Sequence, residues 1–357
     1  MVGFDKVNSE QSQLDKLRSI SIRDLNINDT LIDIASNLPS LVDLDISENL
    51  ISSWKRIGDL VSQIPLRVLN VSLNYLPVID PLPVDQFASL VHLVIGDLNY
   101  TWEDVELLAG DLPQLSVLQL HRNKANQIKV STGKFLNLTD LDLSSNHITS
   151  WEVVNNLEQI SNLRVLRLND NRISSINIPS GMFKNLESLQ LSENLIDDWL
   201  EVGHLNSLSL SELRFRNNPI LETDKPAVCR QIMIAQLGTI KVLNGSTISN
   251  EEKNWAEIDY YKKHGMEYLN IKKLPENEQI SAKATFFKNH CRYQEILDRF
   301  GEPEEGELKV KKSNIKSTLV SITVRCPYLP GSADTVKKLP VSMTVAKLKA
   351  LIGRLFR

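Results

Sequence analysis

Apolar residues recur through the first two thirds of the chain in one pattern, L-x-x-L-x-L-x-x-N-x-I/L. The clearest copies are LVDLDISENLI from Leu41, LRVLNVSLNYL from Leu66, LSVLQLHRNKA from Leu115 and LTDLDLSSNHI from Leu138. Three more follow: LRVLRLNDNRI from Leu163, LESLQLSENLI from Leu186 and LSELRFRNNPI from Leu210. Degenerate copies begin at Leu17, Leu90 and Ile240. The first positions, 17, 41, 66, 90, 115, 138, 163, 186 and 210, lie 23–25 residues apart, and a 30-residue step reaches the last at 240. Alternation within L-x-L is the period of a short strand with one face buried. One such strand cannot hide its leucines alone, so the copies must stack in parallel around a shared core. Asn49, Asn74, Asn123, Asn146, Asn171, Asn194 and Asn218 fall where the chain turns inward. There a side-chain amide can pair with backbone groups that a buried bend leaves unmet. Leu25 and Leu98 take that position in two copies, so looser turns are expected there.

The pattern predicts an α/β leucine-rich-repeat solenoid, with ten parallel strands lining a concave sheet roughly 45 Å long at about 4.8 Å per strand. A longer period lies over the first. Trp54, Trp102, Trp151 and Trp199 are 48–49 residues apart, and Phe87, Phe135 and Phe183 are 48 apart. Each tryptophan follows a capping residue, Ser53, Thr101, Ser150 or Asp198, and opens an amphipathic stretch, which reads as an N-capped helix. The intervening outer segments carry Pro77, Pro81, Pro83, Gly133, Pro179 and Gly181 and read as irregular. The convex side is therefore expected to alternate helix with irregular chain, and the tryptophans to pack beneath the helices rather than to stack on a ligand.

The predicted organisation is an N-terminal flank (1–16), repeats (17–220), a C-terminal cap (221–270), a linker with one short helix (271–312) and a partial ubiquitin-like segment (313–357). In the cap an amphipathic helix, the strand-like IKVLN and a charged helix can be read. From Thr318 an alternating strand, a turn, a second short strand and a helix opened by Ser342 or Thr344 are expected, as at the start of a ubiquitin-like fold.

Forty basic and 44 acidic residues leave a net charge of −4 over 357 residues, with no electrostatic footprint for nucleic acid. The N-terminus lacks a signal-peptide core and no apolar stretch of about 18 residues is present, so no membrane partner and a cytoplasmic location are expected. Cys229, Cys291 and Cys326 are too scattered for a disulfide framework or a structural zinc site. There is no G-x-x-x-x-G-K-[ST], G-x-S-x-G, H-E-x-x-H or C-x-x-C, so a protein without catalytic, metal or cofactor-binding residues is expected. The six histidines are dispersed; His92 and His121 alone are placed to approach each other on neighbouring strands. Asp140 and Asp142 share a strand face and read as surface residues.

Solenoid, cap and ubiquitin-like start, in that order, resemble the tubulin-folding cofactor E family of tubulin-specific chaperones. The likeness is carried by VGFDKV at Val2–Val7, ENLISSW at Glu48–Trp54 and the cap run IAQLGTIKVLNGSTISNEEKNWAEIDY. RYQEILDRFGEPEE at Arg292–Glu305 and KLPVSMTVAKLKALIGRLF at Lys338–Phe356 extend it over almost the whole chain. The resemblance implies a cytoskeleton-associated chaperone that binds α-tubulin and works with companion cofactors carrying β-tubulin to assemble or take apart the tubulin heterodimer, without enzymatic activity. It further implies that the chain starts where the family's glycine-rich cytoskeleton-binding (CAP-Gly) domain would end and stops partway through the ubiquitin-like domain. A generic repeat scaffold, such as a phosphatase regulator, and an E-like tubulin-destabilising relative are the alternatives.

The positions flanking the third apolar residue of each unit are expected on the concave face. They give Asp45, Asn70, Val94, Gln119, Asp142, Arg167, Gln190 and Arg214 in one row, and Ser47, Ser72, Gly96, His121, Ser144, Asn169, Ser192 and Arg216 in the next. His121, Arg122, Arg164, Arg167, Arg214 and Arg216 bias the later half toward positive charge, which suits an acidic partner such as tubulin. Glu187, Glu193 and Glu212 are interleaved among them, so an ordinary surface of paired charges is the competing expectation.

Overall fold

The computed structural model describes residues 13–28, 32–78, 80–308, 319–324, 335–340 and 349. The chain divides into two compact units, Met1–Pro303 and Glu304–Arg357.

The first unit is built on an eleven-stranded sheet in sequence order. Its strands are β1 (Ser19–Ser21), β2 (Asp43–Asp45), β3 (Val68–Asn70), β4 (His92–Val94), β5 (Val117–Gln119) and β6 (Asp140–Asp142). They continue as β7 (Val165–Arg167), β8 (Ser188–Gln190), β9 (Glu212–Arg214), β10 (Val242–Leu243) and β11 (Ser246–Thr247). The first ten run parallel, as the pattern predicts. Registering the middle residues stacks Leu44, Leu69, Leu93, Leu118, Leu141, Leu166, Leu189 and Leu213, each at 0% exposure, into one row of the core. Beyond ten, β11 turns back antiparallel on β10 through Asn244 and Gly245, at φ 55° and 80°. Asn-Gly with both φ positive is the favoured two-residue hairpin turn. The Asn-Gly dipeptide is the sequence signal of this hairpin, which extends the expected IKVLN strand.

The asparagines form the expected ladder, and each acts one repeat upstream. Asn74 Oδ1 accepts from Ile51 N–H at 3.0 Å while its Nδ2 donates to Ile46 O at 3.0 Å. Asn171 likewise accepts from Ile148 N–H at 2.9 Å and donates to Leu143 O at 3.0 Å. This direction corrects the expectation of looser turns at Leu25 and Leu98. Leu25 N–H is held by Asn49 at 3.1 Å and Leu98 N–H by Asn123 at 3.1 Å, because each turn takes its amide from the following repeat. The residue before the ladder position is left-handed throughout: Asp24, Glu48, Leu73, Asp97, Arg122, Ser145, Asp170, Glu193 and Asn217 have φ of 51–60°.

Helices α2 (Trp54–Val61), α3 (Trp102–Ala109), α4 (Trp151–Asn155) and α5 (Trp199–His204) each start at a tryptophan, and each preceding side chain caps the first turn. Trp102 and Trp151 are 2% exposed; Trp54 and Trp199 are half-buried against the same core. The outer segments between these helices are irregular, with Gly133 and Gly181 both at φ 86°. One departure is α1 (Ile32–Asn37), a helix outside the first repeat.

The cap contains α6 (Pro226–Gln236) and the 23-residue α7 (Asn250–Lys272), whose first turn is capped by Ser249. The stretch expected to be a linker is instead more cap. Helices α8 (Glu276–Asn289) and α9 (Tyr293–Phe300) bury Phe286, Tyr293, Ile296 and Leu297 in the core shared with Tyr260, Tyr261 and Tyr268 of α7. The aromatic count in FFKNHCRYQEILDRF outweighed its flanking charge.

In the second unit, α10 (Glu305–Leu308) precedes an antiparallel pair, β12 (Leu319–Val324) and β13 (Thr335–Pro340), in register from Leu319 opposite Pro340 to Val324 opposite Thr335. This is the two-strand start expected there. The helix expected from Ser342 or Thr344 lies outside the described residues except at Lys349, which is helical.

Candidate functional site

Because the middle residue of each strand from β2 to β9 points into the core, its two neighbours point to the open face. One row is the expected one, Asp45 through Arg214. The other is Asp43, Val68, His92, Val117, Asp140, Val165, Ser188 and Glu212, in register from β2 to β9. The second expected row, starting at Ser47, lies one step past the strand and partly inside: Ser47 and Ser72 are 3% and 5% exposed. Strand-end side chains hold it there. Asp45 Oδ1 accepts from Ser47 Oγ at 2.6 Å and Asn70 Oδ1 from Ser72 Oγ at 2.8 Å. The period-2 pattern already held the correct row; the strands end one residue sooner than the apolar repeat.

The six candidate residues do not converge on one point. Arg167 of β7 forks onto the Asp140 carboxylate of β6, with its second contact at 3.1 Å and both side chains largely covered. Arg164 precedes β7 at the sheet's edge and pairs with Glu187 at 2.9 Å. Arg214 lies 3.4 Å from Glu212 on its own strand. Arg122 sits in a left-handed turn, 3.8 Å from Asp97. Arg216 donates to the Asn244 carbonyl at 2.7 Å, and its side chain is exposed. His121 lies across Gly96, where an added Cβ would meet Nε2 at 2.3 Å, so a larger residue there would make the ring move. The positive bias is thus matched largely by pairing, and the pairs differ in kind. The exposed ones at Arg122, Arg164 and Arg214 are worth roughly 0–1 kcal/mol and are cheaply exchanged for a partner's carboxylates. The covered fork at Arg167 stitches two strands together.

His92 and His121 are not brought into contact by any observed bond. Burial lowers the His92 imidazole below its ordinary value, partly offset by Asp140 and Asp43. Two other histidines do meet, and sequence spacing gave no signal of it. His264 of α7 and His290, just after α8, have ring centroids 4.0 Å apart. Burial foremost, then the charge of His290 and of Lys263, brings His264 down to about 3. Burial also lowers His290, against the opposing pull of Glu267. Tyr260 OH and His290 Nδ1 are 2.7 Å apart. His264, Glu267 and His290 offer ligand atoms all within 4.8 Å of one another. They adjoin a cavity of about 260 Å³ lined by Trp199, Gln236, Tyr260, Lys263 and both rings.

A parallel sheet with an asparagine ladder and an open strand face defines a leucine-rich-repeat solenoid, an architecture that presents an extended surface to another macromolecule. The leucine-rich-repeat family model (two copies) matches residues 161–207. Aligned over its full length, the chain is 34% identical to the tubulin-specific chaperone E of Bos taurus and 32% identical to that of Xenopus laevis, covering 70% and 71% of those proteins. It is 33% identical to the tubulin-folding cofactor E of Arabidopsis thaliana, of which it covers 69%. The chain belongs to the tubulin-specific chaperone E family. Among the described residues, no helix is long and apolar enough to cross a membrane.

Proposed function

We propose that the chain is a tubulin-folding cofactor, a non-enzymatic cytoplasmic chaperone that binds α-tubulin through the open face of its sheet. In this reading it cooperates with companion cofactors bound to β-tubulin in assembling or taking apart the heterodimer. The observation that carries the reading is full-length identity of 30–34% to vertebrate tubulin-specific chaperones together with a parallel sheet that sets two rows of side chains on one face. The later half of that face holds the exchangeable arginines. A partner's acidic segment would displace Glu212 from Arg214 and add to the exposed Arg216, while Arg122 and Arg164 flank it and the covered Arg167 keeps its fork on Asp140. His121, lying across Gly96, contributes a flat ring in the middle of the face.

The double variant Arg214→Glu/Arg216→Glu tests the docking face, since both side chains are exposed and the core beneath is untouched. Affinity for purified α-tubulin is expected to fall about tenfold or more, equivalent to about 1.4 kcal/mol. Unchanged affinity would discard the face and leave the cofactor role standing; absence of any tubulin binding by the unaltered chain would discard the role itself.

A further inference from the structure

We propose that His264, Glu267 and His290 form a binding site for a divalent transition-metal ion of the Zn²⁺ class that fastens the end of α8 to α7. This goes beyond tubulin binding and does not depend on it. His264 and Glu267 are three residues apart on α7 and so share a helix face, and His290 enters from the residue after α8. The atoms that face one another are of the right kind. His264 Nδ1 is 3.7 Å and His290 Nε2 is 3.6 Å from Glu267 Oε2. Ligands about 2.0–2.1 Å from a tetrahedral Zn²⁺ are about 3.4 Å apart, so these two edges are already within a few tenths of an ångström of a bound geometry. The third edge, between the two imidazole nitrogens, is within 4.8 Å with ring centroids 4.0 Å apart, and binding would draw the two rings together.

The surroundings supply what such a site needs. A ligating histidine has its second nitrogen fixed by another group, and Tyr260 OH stands 2.7 Å from His290 Nδ1 while itself accepting from Gln236 Nε2 at 3.4 Å. In the tautomer that donates Nδ1–H to the Tyr260 oxygen, Nε2 keeps its lone pair for an ion held between it and Glu267. Phe286 packs on the His290 ring at 4.6 Å and Tyr260 on the His264 ring at 4.5 Å, which limits water on one side. The adjoining cavity leaves room for a fourth ligand, a water molecule. Two imidazoles and a carboxylate are a donor set suited to Zn²⁺ and unsuited to Mg²⁺ or Ca²⁺. The opposing charge is Lys263, whose side chain is exposed, and Asp198 also lines the cavity.

The test uses the tag-free full chain and Zn²⁺ alone, with Co²⁺ as a spectroscopic substitute. Calorimetry is expected to show one Zn²⁺ bound per chain, and Co²⁺ to give the intense visible bands of four-coordination. Glu267→Gln, at a half-exposed position that leaves the fold intact, and His290→Asn should each weaken binding at least tenfold, and Tyr260→Phe should weaken it less. Zn²⁺ should raise the melting temperature of the unaltered chain and not that of Glu267→Gln. Cys291→Ser, which changes the thiol next in sequence, should bind as tightly as the unaltered chain. No stoichiometric uptake, affinity unchanged in Glu267→Gln and His290→Asn, or loss of binding in Cys291→Ser would each overturn the assignment.

Discussion

At the scale of single residues, the solenoid is held by polar side chains that reach one repeat back, and their arrangement shows what happens where one is absent. With Leu98 in place of asparagine, the turn at Leu76 one repeat upstream lacks the side-chain amide that elsewhere accepts from the equivalent N–H, as Asn74 does from Ile51. Tyr100, two residues further on, ties that turn by another bond: its hydroxyl donates to Leu76 O at 2.6 Å and accepts from Trp54 Nε1 at 3.0 Å. The ring is 4% exposed, and burial foremost raises the hydroxyl's pKa, which favours the donating form. Removing the oxygen strands a buried carbonyl, at a cost of about 1–3 kcal/mol, and the N–H of a half-buried indole, at less. Tyr100→Phe is therefore expected to lower stability by about 2 kcal/mol, read as a lower urea midpoint with an unchanged slope. Tyr100→Phe in a Trp54→Phe background should cost less than Tyr100→Phe alone, because one orphaned group has gone with its partner.

At the scale of elements, the strands and the tryptophan-capped helices were legible because each carries its own period and its own stop signal. The strands need only L-x-L, and α2 to α5 need only a capping residue before tryptophan. Helices α8 and α9 were not legible as part of the cap. Their charges alternate with a thin apolar stripe, and Ile280 remains 78% exposed, so pattern alone reads as a polar spacer. What buries them is tertiary: the ring of Tyr268 lies 5.7 Å from that of Phe286 and 5.9 Å from that of Tyr293. The polar heart of this contact was equally hidden, since its members are 35 and 42 residues apart. Glu257, 2% exposed, accepts from Arg292 at 3.0 Å and also from Arg299. Arg292, 7% exposed, further donates to Ala235 O at 2.6 Å and thereby ties α6, α7 and α9 together. Deleting one side of a buried pair leaves an uncompensated charge, at a cost of about 3–5 kcal/mol. Glu257→Leu should lower the melting temperature sharply. Glu257→Leu with Arg292→Met should recover much of the loss, and failure of the double variant to recover any would show that the pair is not the source.

At the scale of the whole first unit, stability is a sum of repeats and their interfaces, so the ends govern how the stack opens. Among the described residues, the central row from Leu44 to Leu213 is fully covered, whereas Ile20 of β1 is only half-buried. At the other end, α6 lies against α7, α8 and α9 pack on α7, and the Gln236, Tyr260 and His290 chain bridges them. The same geometry that sets the proposed metal site therefore also seals the last apolar layer. If the chain is cut after Lys272, Tyr261 and Tyr268 lose their aromatic partners and Glu257 loses both arginines. In a one-dimensional stack that loss is felt locally. Amide exchange in the truncated chain should accelerate by tenfold or more in β9, β10 and α6, about 1.4 kcal/mol, and fade to no change by β5 and β6. An equal acceleration in every strand would mean that the repeats open as one cooperative block, and the division of labour between sheet and cap drawn from the structure would fail.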